Sequence, residues 1–591
     1  MKSSITSKIR DRGLIITELG LIVIPLFGLA APSAIAQTAP DAVASFGGQG
    51  SSAVETWGCE NGIQAYSVVG GVCNLGDAPL YGDVSEDHVM WTSNLYRLYN
   101  NRFEQIGMSW IKHDDWTIDL NPCTDCGGGL FDCDGLNNNA LDPGCNDTYD
   151  ACANGFQNLG GGLALGPRSQ VNAWTGAWPV VPNPDPGRYC GDISGSSGVL
   201  GCRLQVAKAD FANYSGAQYF LEEQVITPDE TSAARNNNVS YKPATVGSCL
   251  QSNCNDQSSP CGEPLSCTNC GSGDGCVYAL KAGTGGCSTH SNCDDGEPCT
   301  NDRCEGNVCQ HNCTSYFTPD CQTDADCNDS DSCTTDSCVQ NPEEDFFCEY
   351  TCPGPCIRCC EEPAIKAWKD ADSSVVETEF QAMSGGSPVD GKFILAAKAW
   401  NVAGCVWEYE YALYNMNSDR SARAFKVPTD LSSADITDRG FHDISYHSGE
   451  PYSTTDWTDS VTGGYVTWST ELESENPDAN ALRWGTLYNF RFRAPRPPNN
   501  SATVTIDLFK SGTPSSVTGA SIAPATSSLV GACCKSGGCC VTTQTVCTSQ
   551  GGSFKGVSTD CQDCNLDEVA DRCQPLTMPF RACCLPEGEY T

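Results

Sequence analysis

The chain has 591 residues, 41 of them cysteine, and 73 acidic against 33 basic side chains, for a formal net charge of −40. That charge excludes the basic face that nucleic-acid phosphates require and argues against an anionic membrane surface, while cysteine at this density belongs in an oxidising compartment. Hydrophobic residues at 39% and 59 glycines favour a turn-rich β protein over a helical one.

Residues 1–36 read as a secretory signal. Lys2, Lys8, Arg10 and Arg12 precede the apolar run Leu14 to Leu29, and Ala34-Ile35-Ala36 supplies an A-x-A cleavage site. The same stretch also reads as a type IV prepilin leader, with Gly13 at the cut and Glu18 at the fifth position after it. No later apolar run reaches the roughly 20 residues of a membrane span. A secreted, periplasmic or cell-surface location is therefore expected, with 37–54 as a flexible N-terminal linker.

Segments 55–248 and 361–512 are alike in their Trp, Tyr, Val and Thr content, their period-two stretches and their Gly, Asn and Asp-Pro turns. They are expected to form one antiparallel β-sandwich-like domain split by an insert. Trp407 to Tyr414 alternates as a half-buried strand should. Tyr465 to Thr470, Leu487 to Arg493 and Thr503 to Phe509 are further strand candidates, and Val89 to Tyr99 is a short helix candidate. The first segment carries nine cysteines and the second only Cys405, so parity suggests that Cys405 pairs across the insert.

The insert, 249–360, holds 21 cysteines and 18 acids against 3 basic residues. So little apolar surface cannot build a core, and cross-links must supply the stability. Within it, Cys287, Cys293, Cys299, Cys304, Cys309 and Cys313 are spaced by 5, 5, 4, 4 and 3 residues, and Cys321, Cys327, Cys333, Cys338, Cys348 and Cys352 by 5, 5, 4, 9 and 3. The expanded fourth gap reads as a loop insertion. Repeats 287–313 and 321–352 are each expected to close three bridges internally, with connectivity open among fifteen arrangements. The CxxC pairs Cys123/Cys126, Cys267/Cys270, Cys356/Cys359 and Cys561/Cys564 admit zinc as a rival, but disulfides are the expectation in a chain this rich in cysteine.

Residues 513–530 read as a Ser/Thr/Gly/Pro linker, and 531–591 as one or more cysteine-rich C-terminal modules. Asp563, Asn565, Asp567 and Asp571 occupy positions 1, 3, 5 and 9 of a calcium loop. Glu568 replaces the turn glycine and Gln574 the bidentate Glu, so a weak site is expected. Calcium is the one cofactor candidate.

For catalysis, the best cluster is His442, His447, Asp443 and Glu450. Its five-residue His spacing lacks the i, i+4 arrangement of a helical zinc site, and the expectation is local hydrogen bonding. No GxSxG, Walker loop or dinucleotide fingerprint occurs. Trp174, Trp178 and Trp484 are candidates for a carbohydrate-facing surface, with core or turn packing the expected role.

The CDDGEPCTNDRC and CNDSDSCTTDSC stretches resemble the cysteine repeats of secreted slime-mould and bacterial surface proteins, which implies an extracellular spacer or adhesion-type module. RFEQIGMSWIKH (102–113), GLALGPRSQVNAWTG (162–176), ALYNMNSDRSARAFKVP (412–428), GFHDISYHSGEPY (440–452) and NALRWGTLYNFRF (480–492) resemble blocks of uncharacterised secreted proteins of planctomycete-type bacteria. That resemblance implies a single domain interrupted by the insert and brings no activity with it. The reading that follows is a disulfide-stabilised secreted or cell-surface structural or interaction protein, with an extracellular protein or glycan as partner. The alternatives are a carbohydrate-binding protein and a secreted hydrolase.

Overall fold

A computed structural model describes, with gaps, residues 39–246, short strands at 265–267, 300–313 and 335–351, and nearly all of 362–561. The fold is mainly β and antiparallel throughout. The first segment forms one large sheet. Its spatial order is Leu265–Cys267, Val239–Val246, Gln218–Ile226, Met90–Tyr99, Arg102–Met108, Leu204–Ala207, Ile63–Asn74, Cys145–Ala151 and Asn121–Pro122.

The second segment forms two five-stranded sheets. The central sheet runs Val376–Ser384, Ser387–Ala403, Val406–Asn415, Thr486–Ala494, Thr437–His442. The outer sheet runs Thr458–Thr462, Tyr465–Ser469, Ala422–Pro428, Pro498–Leu508, Ser516–Pro524. Alternation along the central strands divides two cores. Phe393, Leu395, Tyr409, Tyr411 and Phe490 meet Phe425, Trp468, Val504 and Ile506 of the outer sheet. Ile394, Ala396, Ala412, Tyr414 and Leu487, on the opposite face, meet Tyr96, Phe103, Phe220 and Tyr241 of the first sheet together with Ala364, Ile365 and Trp368. The central sheet is thus buried on both sides, and Trp407 to Tyr414 is not the half-buried strand its alternation suggests. The polar members of that alternation, Glu408 and Glu410, are themselves buried and ion-paired with Arg102.

Several expectations are corrected. The 37–54 linker contains the strand Ala42–Ser45, which pairs with Ile63–Asn74 and buries Ala42, Val43 and Ala44 completely or nearly so. Three small apolar residues suffice to seat it, and the Gly/Ser-rich flanks conceal it in the sequence. Val89 to Tyr99 is not a helix: Met90–Tyr99 is a strand joined to Arg102–Met108 by Asn100 and Asn101 at φ 49° and 61°. Asparagine tolerates the left-handed conformation that a tight hairpin turn needs. The 513–530 linker contains Ser516–Pro524, an edge strand whose Val517 and Ile522 enter the outer core. The insert boundary at 249 is not sharp either, because Leu265–Cys267 extends the first sheet beside Val239–Val246.

Within the insert, Thr300–Glu305 pairs with Val308–Cys313 and Thr335–Gln340 with Phe346–Thr351, setting Cys304 opposite Cys309 and Cys338 opposite Cys348. Of the five residues that lengthen the fourth gap, three fall between the two strands of the second hairpin and two lengthen the strands themselves. The bonding of the repeat cysteines lies outside the described residues. Cys405, at the turn between Ser387–Ala403 and Val406–Asn415, bonds Cys540 of the tail module, not a cysteine of the first segment. Parity misled because the turn projects from the central sheet onto the module. Cys533–Cys547 and Cys539–Cys561 close the module itself.

Candidate functional site

A buried polar constellation lies at the seam between the first and central sheets. Glu222, on Gln218–Ile226, is fully buried. Its Oε1 accepts from Asn94 Nδ2 (2.8 Å), the Tyr96 hydroxyl (2.8 Å) and the Tyr414 hydroxyl (3.0 Å), and its Oε2 accepts from the Ala364 N–H (2.7 Å). Two donors come from the first segment and two from the second. Burial pushes the Glu222 carboxyl up, and these four donors pull it back.

Arg168 lies alongside. Its Nε donates to the Ser109 carbonyl (2.8 Å), Nη1 to the Gly485 carbonyl (3.0 Å), and Nη2 to the Ser93 carbonyl (3.1 Å) and Asn94 Oδ1 (2.9 Å). Asn94 therefore bridges the guanidinium to Glu222. Gln105 ties the same network across the seam, donating to Asn94 Oδ1 (3.0 Å) and accepting from the Leu487 N–H (2.8 Å). Two further carboxyls stand near Arg168. Glu450 Oε2 accepts from the Ser169 N–H (3.2 Å), and burial raises Glu450 to about 7. Glu223, on the other face of its strand, is raised to about 8 by burial, with a Ser93 contact outside hydrogen-bonding geometry as the main offset. Lower along the seam, burial raises Glu410 to about 8 against the opposing charges of Arg102 and Arg491.

Gly485 makes the close approach feasible. Its φ is +70°, and a Cβ there would stand 2.4 Å from Arg168 Nη1. Gly485→Ala is expected to lower stability by about 2 kcal/mol from left-handed strain and displacement of the guanidinium, read as a shift in the urea midpoint at unchanged slope.

The residues singled out from sequence do not converge. His442 ends the strand Thr437–His442 and Asp443 follows it; Asp443 accepts from Asn480 Nδ2 (2.6 Å) and is raised by burial to about 6, and His442 Nδ1 is buried without a partner. Glu450 faces Ser169 instead of the histidine, and His447 lies outside the described residues. Trp484 is a core residue, 4% exposed, whose indole N–H donates to the Arg168 and Val171 carbonyls (3.1 Å each). Trp174 is half-buried beside the Asn172 turn, and Trp178 lies outside the described residues. Asp563, Asn565, Asp567 and Asp571 lie outside them too. Among the described residues no three His, Cys, Asp or Glu side chains gather as a metal site, and no helix is long and apolar enough to cross a membrane.

Arg168, Glu222 and Glu223 escaped the sequence reading. The available signal was the pair Glu222-Glu223 inside the otherwise apolar strand YFLEEQVI, since adjacent acids on a strand point to opposite faces and one face at least had to be buried.

No protein-family model matches the chain, and no curated protein matches it. Among solved structures, a GH20 exo-β-N-acetylglucosaminidase from Vibrio harveyi, in complex with N-acetylglucosamine, is similar over 21% of this chain and 17% of its own, at 11% identity and a TM-score of 0.14. An overlap that small defines no common fold.

Proposed function

We propose that this chain is a secreted or cell-surface structural or interaction protein, held in shape by stacked β layers and disulfides, whose partner is an extracellular protein or glycan. The observation that carries the reading is the Cys405–Cys540 bond, which ties the tail module to a turn of the central sheet across 135 residues of sequence. Bonds of this kind persist in oxidising compartments, and the module is too small to stabilise itself by a core alone. The leader-like residues 1–36 and the formal net charge of −40 support the same reading. Glu222, Arg168, Asn94 and Gln105 at the seam are taken up in joining layers to one another, which is a structural role.

Two measurements test this. Fractionation of the producing cells should find the protein outside the cytoplasm with its cysteines oxidised; reduced protein in the cytosol would overturn the proposal. Cys405→Ser should lower stability by about 2–4 kcal/mol, the usual cost of losing a disulfide that closes a long loop, and limited proteolysis should release the 531–561 module at least tenfold faster. Equal cleavage of both proteins would show that the bond does not hold the module.

A further inference from the structure

The Arg168 site contains more carboxyls than its cation can neutralise. Arg168 is 2% exposed, Glu222 0% and Glu223 1%, and the Oε1 of Glu450 is sealed from solvent. One buried guanidinium, which keeps its charge at any working pH, thus has within its electrostatic reach two fully buried carboxyls and a third, on the part-buried Glu450. Fully ionised, they would leave two negative charges uncompensated in a low-dielectric interior, which such interiors do not tolerate.

Their hydrogen bonds distinguish the three. Glu222 is built for the anion, with four donors on its two oxygens and Arg168 one amide away through Asn94. Glu450 has one donor, the Ser169 N–H, on Oε2, and its Oε1 has no partner. Neither oxygen of Glu223 makes a hydrogen bond. A buried carboxyl so poorly provided with donors is stabilised by keeping its proton.

We propose that the Arg168 site is a proton-operated clasp between the two chain segments, closed while Glu450 carries its proton and loosened when it releases it, with Glu223 adding to the pH dependence of stability from the opposite face of its strand. Glu450 and Ser169 belong to different segments and touch at this site, so charging Glu450 acts directly on the seam. The other titratable groups facing the site do not take over the role. Tyr96 on the first sheet, Tyr414 on the central sheet and Tyr452 beside Glu450 are all pushed up by burial. Tyr452 lies under the Arg483 guanidinium at 4.1 Å and also feels Asp478. Arg168 is the cation that acts on both Glu223 and Glu450.

The sign follows from the direction of the shifts. Both folded-state values, about 7 and about 8, lie above the ordinary 4.5, so the folded protein binds protons that the unfolded chain has already lost. Stability is fullest below about 4.5 and falls as pH rises, by about tenfold in the folding equilibrium per pH unit for each group. The fall ends once pH passes about 8.

The test is hydrogen exchange at Ser169, corrected for intrinsic rate, in the full chain from pH 5 to 9, for the wild type, Glu450→Gln and Glu223→Gln. Glutamine keeps the shape and an acceptor but cannot ionise. Wild-type protection at Ser169 should fall about tenfold per pH unit between 5 and 7 and then level, and Glu450→Gln should remove that slope. A flat wild-type profile, or an unchanged slope in Glu450→Gln, overturns the proposal. Should Glu450→Gln not fold, the same exchange measurement on Glu223→Gln decides: the Ser169 slope between pH 5 and 7 must persist in it, and a flattened profile overturns the clasp.

Discussion

Replacing Glu222 by alanine is expected to destabilise the protein by about 4 kcal/mol, the range in which removing one member of a buried charged network falls. The substitution leaves four buried donors without an acceptor: Asn94 Nδ2, the hydroxyls of Tyr96 and Tyr414, and the Ala364 N–H. Each orphaned group costs about 1–3 kcal/mol when water cannot reach it. The loss also strips Arg168 of the carboxylate that Asn94 relays to it, leaving a buried cation among neutral acceptors. Glu222→Gln keeps one carbonyl acceptor and the side-chain volume, and a smaller loss of about 2 kcal/mol is expected. The two variants together separate the missing acceptor from the missing charge. Chemical denaturation at pH 6 is the measurement, and a loss below about 1 kcal/mol for Glu222→Ala would show that the four donors find other partners.

The layered β architecture was legible wherever the alternation carried large residues. Val406–Asn415, Tyr465–Ser469, Thr486–Ala494 and Pro498–Leu508 sit where large apolar residues recur at period two, as Val466 and Trp468 or Val504, Ile506 and Leu508 do. Strands built from small or polar residues were not legible. Ala42–Ser45 and Ser516–Pro524 have the composition of linkers, and only their ladder partners make them strands. Period two also cannot tell one buried face from two when the polar positions are glutamates with arginine partners. Glu408 and Glu410 looked like the solvent side of a strand, yet they meet Arg102 from another sheet, about 300 residues distant in sequence. The same limit hid the Arg168 site. Its members come from 94, 168, 222 and 450, and no local spacing records that a long-range fold assembles them.

Trp368→Ala is expected to cost about 4 kcal/mol and to do so in both chain segments at once. Trp368 lies on the short helix Lys366–Ala371, directly after the insert, and is 1% exposed. It belongs to the cluster that combines Tyr96, Phe103, Phe220, Val239 and Tyr241 of the first sheet with Ile394, Ala396, Ala412, Tyr414 and Leu487 of the central sheet. Truncating a buried Trp loses its transfer energy and leaves a cavity, together about 3–5 kcal/mol. The cavity here would open on two layers supplied by different segments. If those layers form one cooperative unit, hydrogen exchange should show Met90–Tyr99 and Val406–Asn415 losing protection by the same factor, in a single unfolding transition. A comparison variant, Trp468→Ala, removes an equally buried indole from the core between the central and outer sheets. It should cost a similar amount while touching nothing in the first sheet directly. Should Trp368→Ala lower protection in the second segment alone, the segments fold as separate units. The insert would then join two domains instead of interrupting one.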